Sequence, residues 1–158
     1  MNNLIDWLPN NLPTEKRTGI VHGDYSLTNV MIGKNDPNVI AILDWELSTL
    51  GDPCADFNYH CLQYTMNPKL ADKDYCKNQG IPVIDDYVKM YSDKIEIDLT
   101  EEWDLYSAYN LFKLAGILQG ILGRVRDGTA AHENAAERAS GVRNLSDKAW
   151  DLVEKNFL

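Results

Sequence analysis

Three oxygen-bearing side chains, Asp24, Asn29 and Asp44, stand where short apolar runs of the chain end. Hard oxygen donors gathered in one place suit a hard cation such as Mg²⁺. The first lies in Ile20-Val21-His22-Gly23-Asp24-Tyr25. Gly23 has no Cβ and permits tight backbone geometry, so the Asp24 carboxylate can be held beside a substrate hydroxyl and take its proton. Asp24 is therefore the candidate catalytic base. Asn29 follows where the chain returns to strand, and its amide oxygen can ligate a cation without adding negative charge. Asp44 closes the apolar run from Val39 to Leu43 and offers a carboxylate to the same ion. Because Mg²⁺ takes only one or two such protein groups, phosphate oxygens and water are expected to complete its shell.

An Asp, four residues, an Asn, then an apolar strand ending in Asp is the order of a kinase catalytic loop and metal loop. Here the two loops read His22-Gly23-Asp24 and Asp44-Trp45-Glu46, and the chain runs on through Leu47-Ser48-Thr49-Leu50-Gly51-Asp52-Pro53-Cys54-Ala55-Asp56-Phe57. These variants resemble the aminoglycoside phosphotransferase (APH) family of protein-kinase-like small-molecule kinases, and are most similar to its branch fused to acyl-CoA dehydrogenases. The resemblance implies ATP as phosphoryl donor, Mg²⁺ as cofactor and a small-molecule hydroxyl as acceptor, whether hydroxyacyl-CoA-like, aminoglycoside-like or choline-like. It also implies catalytic-loop support from His22, Gly23 and Asp56, the last by hydrogen bonding back to the loop. Tyr25, Trp45 and Glu46 are then candidates to line the site. In one respect the sequence departs from that branch, which often carries Arg after the catalytic-loop Tyr. Ser26 stands here instead, so any anion contact made by that Arg is not expected.

The resemblance spans nearly the whole chain but only about the C-terminal half of the family's domain. Kinases of this kind also need an upstream sheet with a Gly-rich loop over the phosphates and a strand Lys, and neither is found before Ile20. The chain is thus expected to be the C-terminal lobe alone, without turnover in isolation. A second reading is a non-catalytic binding module or truncated product that keeps the kinase-like fold. A third is a metal-dependent phosphohydrolase using His22, Asp24 and Asp44. Dinuclear hydrolases want several His ligands, and His22, His60 and His132 are the only histidines.

The elements that must position these groups follow from patterning. The 158 residues suit one domain, residues 1–158, with a hydrophobic fraction of 44% and a charged fraction of 25%. A net charge of −9 without any basic run argues against nucleic acid and anionic membrane surfaces as partners. Cys54, Cys61 and Cys76 are odd in number, with Cys54 and Cys61 about 10 Å apart on a helix, so core thiols in a reducing cytoplasmic compartment are expected. A zinc site at His60 or His22 lacks supporting ligand spacing. No 18-residue apolar window offers a membrane span.

The fold class is α+β: a small hairpin over residues 19 to 44, turning at Lys34 to Asn38, and helices around it. Asp52 and Pro53 start a helix that runs to about Tyr64 and buries Phe57, Cys61 and either Leu62 or Tyr64 on one side. Shorter helices are expected over about 71–79, ended by Gly80, and about 84–94. Thr100 is read as the N-cap of the longest helix and Gly128 as its end, with apolar residues from Leu105 to Val125 making it a central post. Gly116, Gly120 and Gly123 within it are read as close helix packing, not a phosphate loop. A last helix is expected from about Glu133 to Phe157, weak at Gly141, with Arg138 and Arg143 as groups that could meet an anion. Leu4, Ile5, Trp7 and Leu8 read as the tail of a cut helix, uncovered together with Met31 and Ile32. Self-association into a homo-oligomer through that face is the expected response.

Overall fold

The computed structural model describes residues 1–15, 17–130 and 134–158. The expected helix start at Glu133 and the roles considered for His132 and the Arg138 side chain lie outside the described residues. The chain divides into two compact units, residues 14–103 and residues 1–13 with 104–158.

All the candidate site residues belong to the first unit. Its strands are β1 (Gly19–Val21), β2 (Val30–Ile32), β3 (Val39–Ile42) and β4 (Thr49–Gly51). The sequence predicts the first and third as arms of one hairpin, whereas they belong to separate two-stranded antiparallel sheets. β2 pairs with β3, Val30 opposite Ile42, across the polar turn that Gly33 N–H closes on the Asn38 carbonyl at 3.0 Å. β1 pairs instead with β4, Ile20 opposite Leu50. A strand needs partners for its N–H and C=O groups, and β1 finds them in Thr49–Gly51, for which the sequence predicts no strand.

The helices follow their punctuation. α2 (Pro53–Met66) starts where the Asp52 carboxylate accepts from Cys54 N–H at 2.9 Å, and it buries Phe57, Cys61 and Leu62. Asn67 ends it and caps the one-turn α3 (Pro68–Ala71). Asp72 then caps α4 (Lys73–Asn78), which lies within the helix expected over about 71–79, Ala71 being the last residue of α3. α5 (Ile84–Ile95) closes with Glu96 in the left-handed region at φ 58°. All three cysteines are buried and free, and burial pushes the Cys61 thiol up to about 12.

The second unit contains α1 (Asn2–Trp7), most of α6 (Trp103–Arg126), α7 (Ala135–Arg138) and α8 (Val142–Phe157). Leu4 and Leu8 are 0% and 4% exposed, contrary to the expectation of an uncovered helix end, and Trp7 meets Phe157 with ring centroids 5.8 Å apart. Apolar side chains near Pro9 therefore have a core of their own, while Ile5 remains exposed. α6 starts after Thr100, whose N–H is taken by the Asp98 carboxylate in a turn. Its buried residues lie between Leu105 and Ala115, and Ile117 is exposed, so only its first half is a core post. A Cβ on Gly116, Gly120 or Gly123 would meet no described atom within 4 Å, which corrects the close-packing reading of those glycines. Gly141 does interrupt the last helix, as a 3-10 turn at Ala139–Gly141.

Candidate active site

The chain leaves β1 at His22 and turns through Gly23, whose φ of +86° is in the region that L side chains avoid. A Cβ there would stand 2.5 Å from the Leu47 carbonyl oxygen, so the position requires glycine on two counts. The turn leaves consecutive N–H groups pointing inward, and each finds an acceptor. The Asp56 carboxylate, reaching from the first turn of α2, accepts from His22 N–H with one oxygen and from Gly23 N–H at 3.0 Å with the other. Asp24 N–H donates to His22 Nδ1 at 3.2 Å. With Nδ1 accepting, the other ring nitrogen carries the proton and donates from Nε2 to the Leu43 carbonyl at 2.8 Å. His22 thereby links the loop bearing Asp24 to the residue preceding Asp44.

Asn29 closes the arrangement from the far side. Its Nδ2 donates to the Asp24 carbonyl at 2.9 Å and to the Asp24 carboxylate at 3.3 Å. The Leu43 N–H donates to the Asn29 carbonyl at 2.8 Å, so the backbone that leads into Asp44 runs beside Asn29. Asp44 itself is exposed and sits at φ 67°, the left-handed region, at the start of a 3-10 turn over Trp45–Leu47. Trp45 lies over His22, ring centroids 4.8 Å apart, and its indole N–H donates to the Ile42 carbonyl at 2.8 Å. Glu46 is exposed.

The donor set fits a hard cation bound to phosphate: one amide, one carboxylate, and room in the coordination shell for ligands that are not protein. No cluster of three His, Cys, Asp or Glu groups suited to a metal occurs among the described residues. Both ring nitrogens of His22 are engaged, one as donor and one as acceptor, and this disfavours the phosphohydrolase reading that asked it to ligate.

Beside the loop lies a cavity of ≈ 500 Å³ whose walls include Tyr25 and Trp45, as well as Ile42, Phe57, Tyr87 and Met90. Behind this wall Tyr25 meets His60 at 5.6 Å and Tyr91 stacks on Phe57 at 3.8 Å. Burial lowers the His60 imidazole from its ordinary value, and its Nδ1 is buried with no hydrogen-bond partner among the described residues.

Sequence reasoning missed Tyr59. Burial, and then the negative charge of Asp24, push its phenol up to about 12. The available signal was its place on α2, one turn beyond Asp56 and hence on the same helical face.

The model of the phosphotransferase enzyme family, APH, matches residues 1–109. Over 98% of its length the chain is 38% identical to Acyl-CoA dehydrogenase family member 10 of Mus musculus, of which it covers 15%. Over 99% of its length it is 32% identical to Acyl-CoA dehydrogenase family member 11 of Homo sapiens, of which it covers 21%. A solved chain from Ralstonia eutropha JMP134, assigned as an aminoglycoside phosphotransferase, shares 40% identity at a TM-score of 0.89, covering 99% of this chain and 49% of that one. The chain belongs to the APH phosphotransferase enzyme family, and its mostly helical α+β structure with small antiparallel sheets has that family's kinase-like fold. It spans about half the length of the solved relative and a much smaller share of the dehydrogenase relatives.

Proposed function

We propose that residues 1–158 are the C-terminal, catalytic-loop lobe of an ATP- and Mg²⁺-dependent phosphotransferase acting on a small-molecule hydroxyl. The observation that carries this reading is the Asp24 carboxylate held by Asn29 on a loop whose N–H groups are pinned by Asp56. Asp24 would accept the proton of the acceptor hydroxyl as that oxygen bonds to the γ-phosphorus of ATP and the bond from that phosphorus to the β,γ-bridging oxygen breaks, ADP leaving with the electron pair. Asn29, through its amide oxygen, and Asp44, through its carboxylate, are the groups that would hold Mg²⁺, which when bound screens the charge of the phosphates. His22, Gly23 and Asp56 keep the loop in shape, and Tyr25 and Trp45 wall the space beside it. Glu46 takes a peripheral place at the metal loop.

Among the acceptor classes, an alcohol bearing an acyl chain, such as a hydroxyacyl thioester, suits the cavity best. Its walls are mainly aliphatic and aromatic, its one carboxylate, Asp56, already accepts two backbone N–H groups, and Lys94 adds a cation. A polycationic aminoglycoside would find few anions there. The dehydrogenase relatives, named for acyl-CoA substrates, point the same way.

Phosphoryl transfer depends on positioning from both sides of the phosphates, so this lobe alone is expected to be catalytically silent and to act in the cytoplasm only as part of the larger arrangement. The binding-module alternative predicts no transfer under any condition. The test joins the chain to the part of the solved relative that it does not cover. Turnover of a hydroxyacyl thioester with Mg²⁺-ATP is expected, Asp24→Ala lowering kcat by roughly 10² to 10⁴ and Asp44→Asn raising the Mg²⁺ requirement. Full turnover by Asp24→Ala would refute Asp24 as the base.

A further inference from the structure

Along α5 the residues that wall the cavity are Tyr87, Met90, Tyr91 and Lys94, spaced as one helical face is. The two ends of that face differ. Tyr87 belongs to the catalytic-loop end: its hydroxyl lies 3.3 Å from His60 Nε2, and the His60 ring in turn meets Tyr25. Lys94 comes seven residues later, about 10 Å further along the helix axis. It is the one lysine or arginine among the residues that line the cavity, and no hydrogen bond or ion pair engages it among the described residues. Lys89 on the same helix is held by Asp93 at 2.9 Å, but one turn back from Lys94 stand only Met90 and Tyr91. The carboxylates at the start of α2 are already engaged, Asp56 by the N–H groups of His22 and Gly23 and Asp52 by that of Cys54. The helix dipole favours a lysine in the last turn whichever way it faces. It does not explain why, in a chain of net charge −9, this one is left unpaired on the wall of an apolar cavity.

We propose that Lys94 is a specificity-determining residue, pairing with an anionic group that the acceptor carries at the far end of an apolar chain from its reacting hydroxyl. The proposal rests on the reading of this cavity as the acceptor site. Between the catalytic-loop end and Lys94 the walls include Ile42, Phe57, Met90 and Tyr91, so an aliphatic spacer gains by burial there. Lys94 is exposed, its stem able to follow the apolar wall while its ammonium stays in water, ready to meet an anion at little cost in desolvation. A neutral alcohol of the same length fills the same ≈ 500 Å³ and leaves the ammonium unpaired; a polycation is repelled by it. The anion is the carboxylate of a hydroxy acid or the phosphates on the carrier of a hydroxyacyl thioester, which are the same chemistry to a lysine.

Binding and turnover test this separately. Binding is followed in this chain alone by tryptophan fluorescence, since Trp45 is part of the cavity wall. The probes are ω-hydroxyoctanoate, its coenzyme A thioester and octanediol. At least one of the two anionic probes is expected to bind about fivefold tighter than the diol, the upper size of an exposed ion pair, by a margin that shrinks with added salt. Lys94→Met is expected to erase the margin and Lys94→Arg to keep it. A preference shown by the acid assigns a carboxylate; one shown by the thioester alone assigns the carrier's phosphates. Anionic probes that bind no tighter than the diol, or a margin that survives Lys94→Met, overturn the proposal. Turnover is measured in the chain joined to the part of the solved relative that it does not cover. There Lys94→Met should raise KM for the preferred anionic probe about fivefold, more than it lowers kcat, a split that loss of fold would not give. A binding preference that depends on Lys94, in a joined chain that transfers no phosphate, refutes the phosphotransferase reading and upholds the anion contact.

Discussion

The catalytic loop and the strands that flank it come from one short stretch of chain and differ in how far they are completed within it. The N–H groups of His22, Gly23 and Asp24 all have acceptors among residues 14–103, and Val21, His22 and Gly23 are buried. A few residues away, Ile20, Ile40 and Leu50 are 69%, 63% and 74% exposed, and Met31, Ile32 and Val39 are exposed as well. Polar order in the loop is therefore internal to its own unit. Apolar burial in the strands is not, and a run of this kind calls for another surface. Groups that must be placed to within fractions of an ångström are held locally, while the apolar side chains of the strands beside them stay exposed.

The largest expected effect on this contrast is from Asp56→Ala, which strips the acceptors from two inward-facing N–H groups and should cost about 2–4 kcal/mol in urea unfolding. Asp56→Asn, keeping one acceptor oxygen, should cost visibly less. Gly23→Ala comes next, at about 1–3 kcal/mol by the same measurement, since a methyl group there meets a backbone oxygen that cannot step aside. A smaller effect depends on pH. Burial lowers the folded-state pKa of His60, so as pH falls below 6.5 the unfolded chain takes up a proton that the folded chain refuses. Stability is then full above the unfolded pKa and declines as pH drops toward the lowered folded one. Thermal melts between pH 7 and 5 should show that decline flattened in His60→Gln. Smallest of all should be Ile40→Lys, within about 0.5 kcal/mol, because the side chain is already in solvent. Sedimentation should nevertheless show it to be more monomeric than the parent chain, whose apolar strand face we expect to drive self-association. An Ile40→Lys penalty as large as that of Asp56→Ala would erase the distinction between loop and strand.

What could be read in the sequence was what local chemistry determines. Asp52 before Pro53 marks a helix start whatever the tertiary structure, and Gly80 and Gly128, both at positive φ, mark ends for the same reason. His22, Gly23, Asp24, Asn29 and Asp56 could be picked out because their types and order carry a pattern, and the structure places them in one hydrogen-bonded group. Less legible was whatever depends on a partner distant in sequence. Three residues at Thr49–Gly51 are too few to announce a strand, and only β1 makes them one. Leu4 and Leu8 look uncovered until α8, at the other end of the chain, is seen beside α1. The three glycines of α6 suggested a tight interface because small residues usually serve one, yet open space surrounds them among the described residues. Tyr59 carried no motif at all.

The grip of the Asp56 carboxylate on two successive N–H groups also has a consequence for proton traffic with the solvent. Residues 22–24 form neither helix nor sheet, and an irregular segment ordinarily trades its amide hydrogens for deuterium within seconds. Here His22 and Gly23 can do so only when α2 lets go of the loop. Their exchange rates would therefore follow those of the α2 backbone, and a deuterium map of the molecule would draw the catalytic loop as an outgrowth of that helix, although thirty residues of chain separate the two.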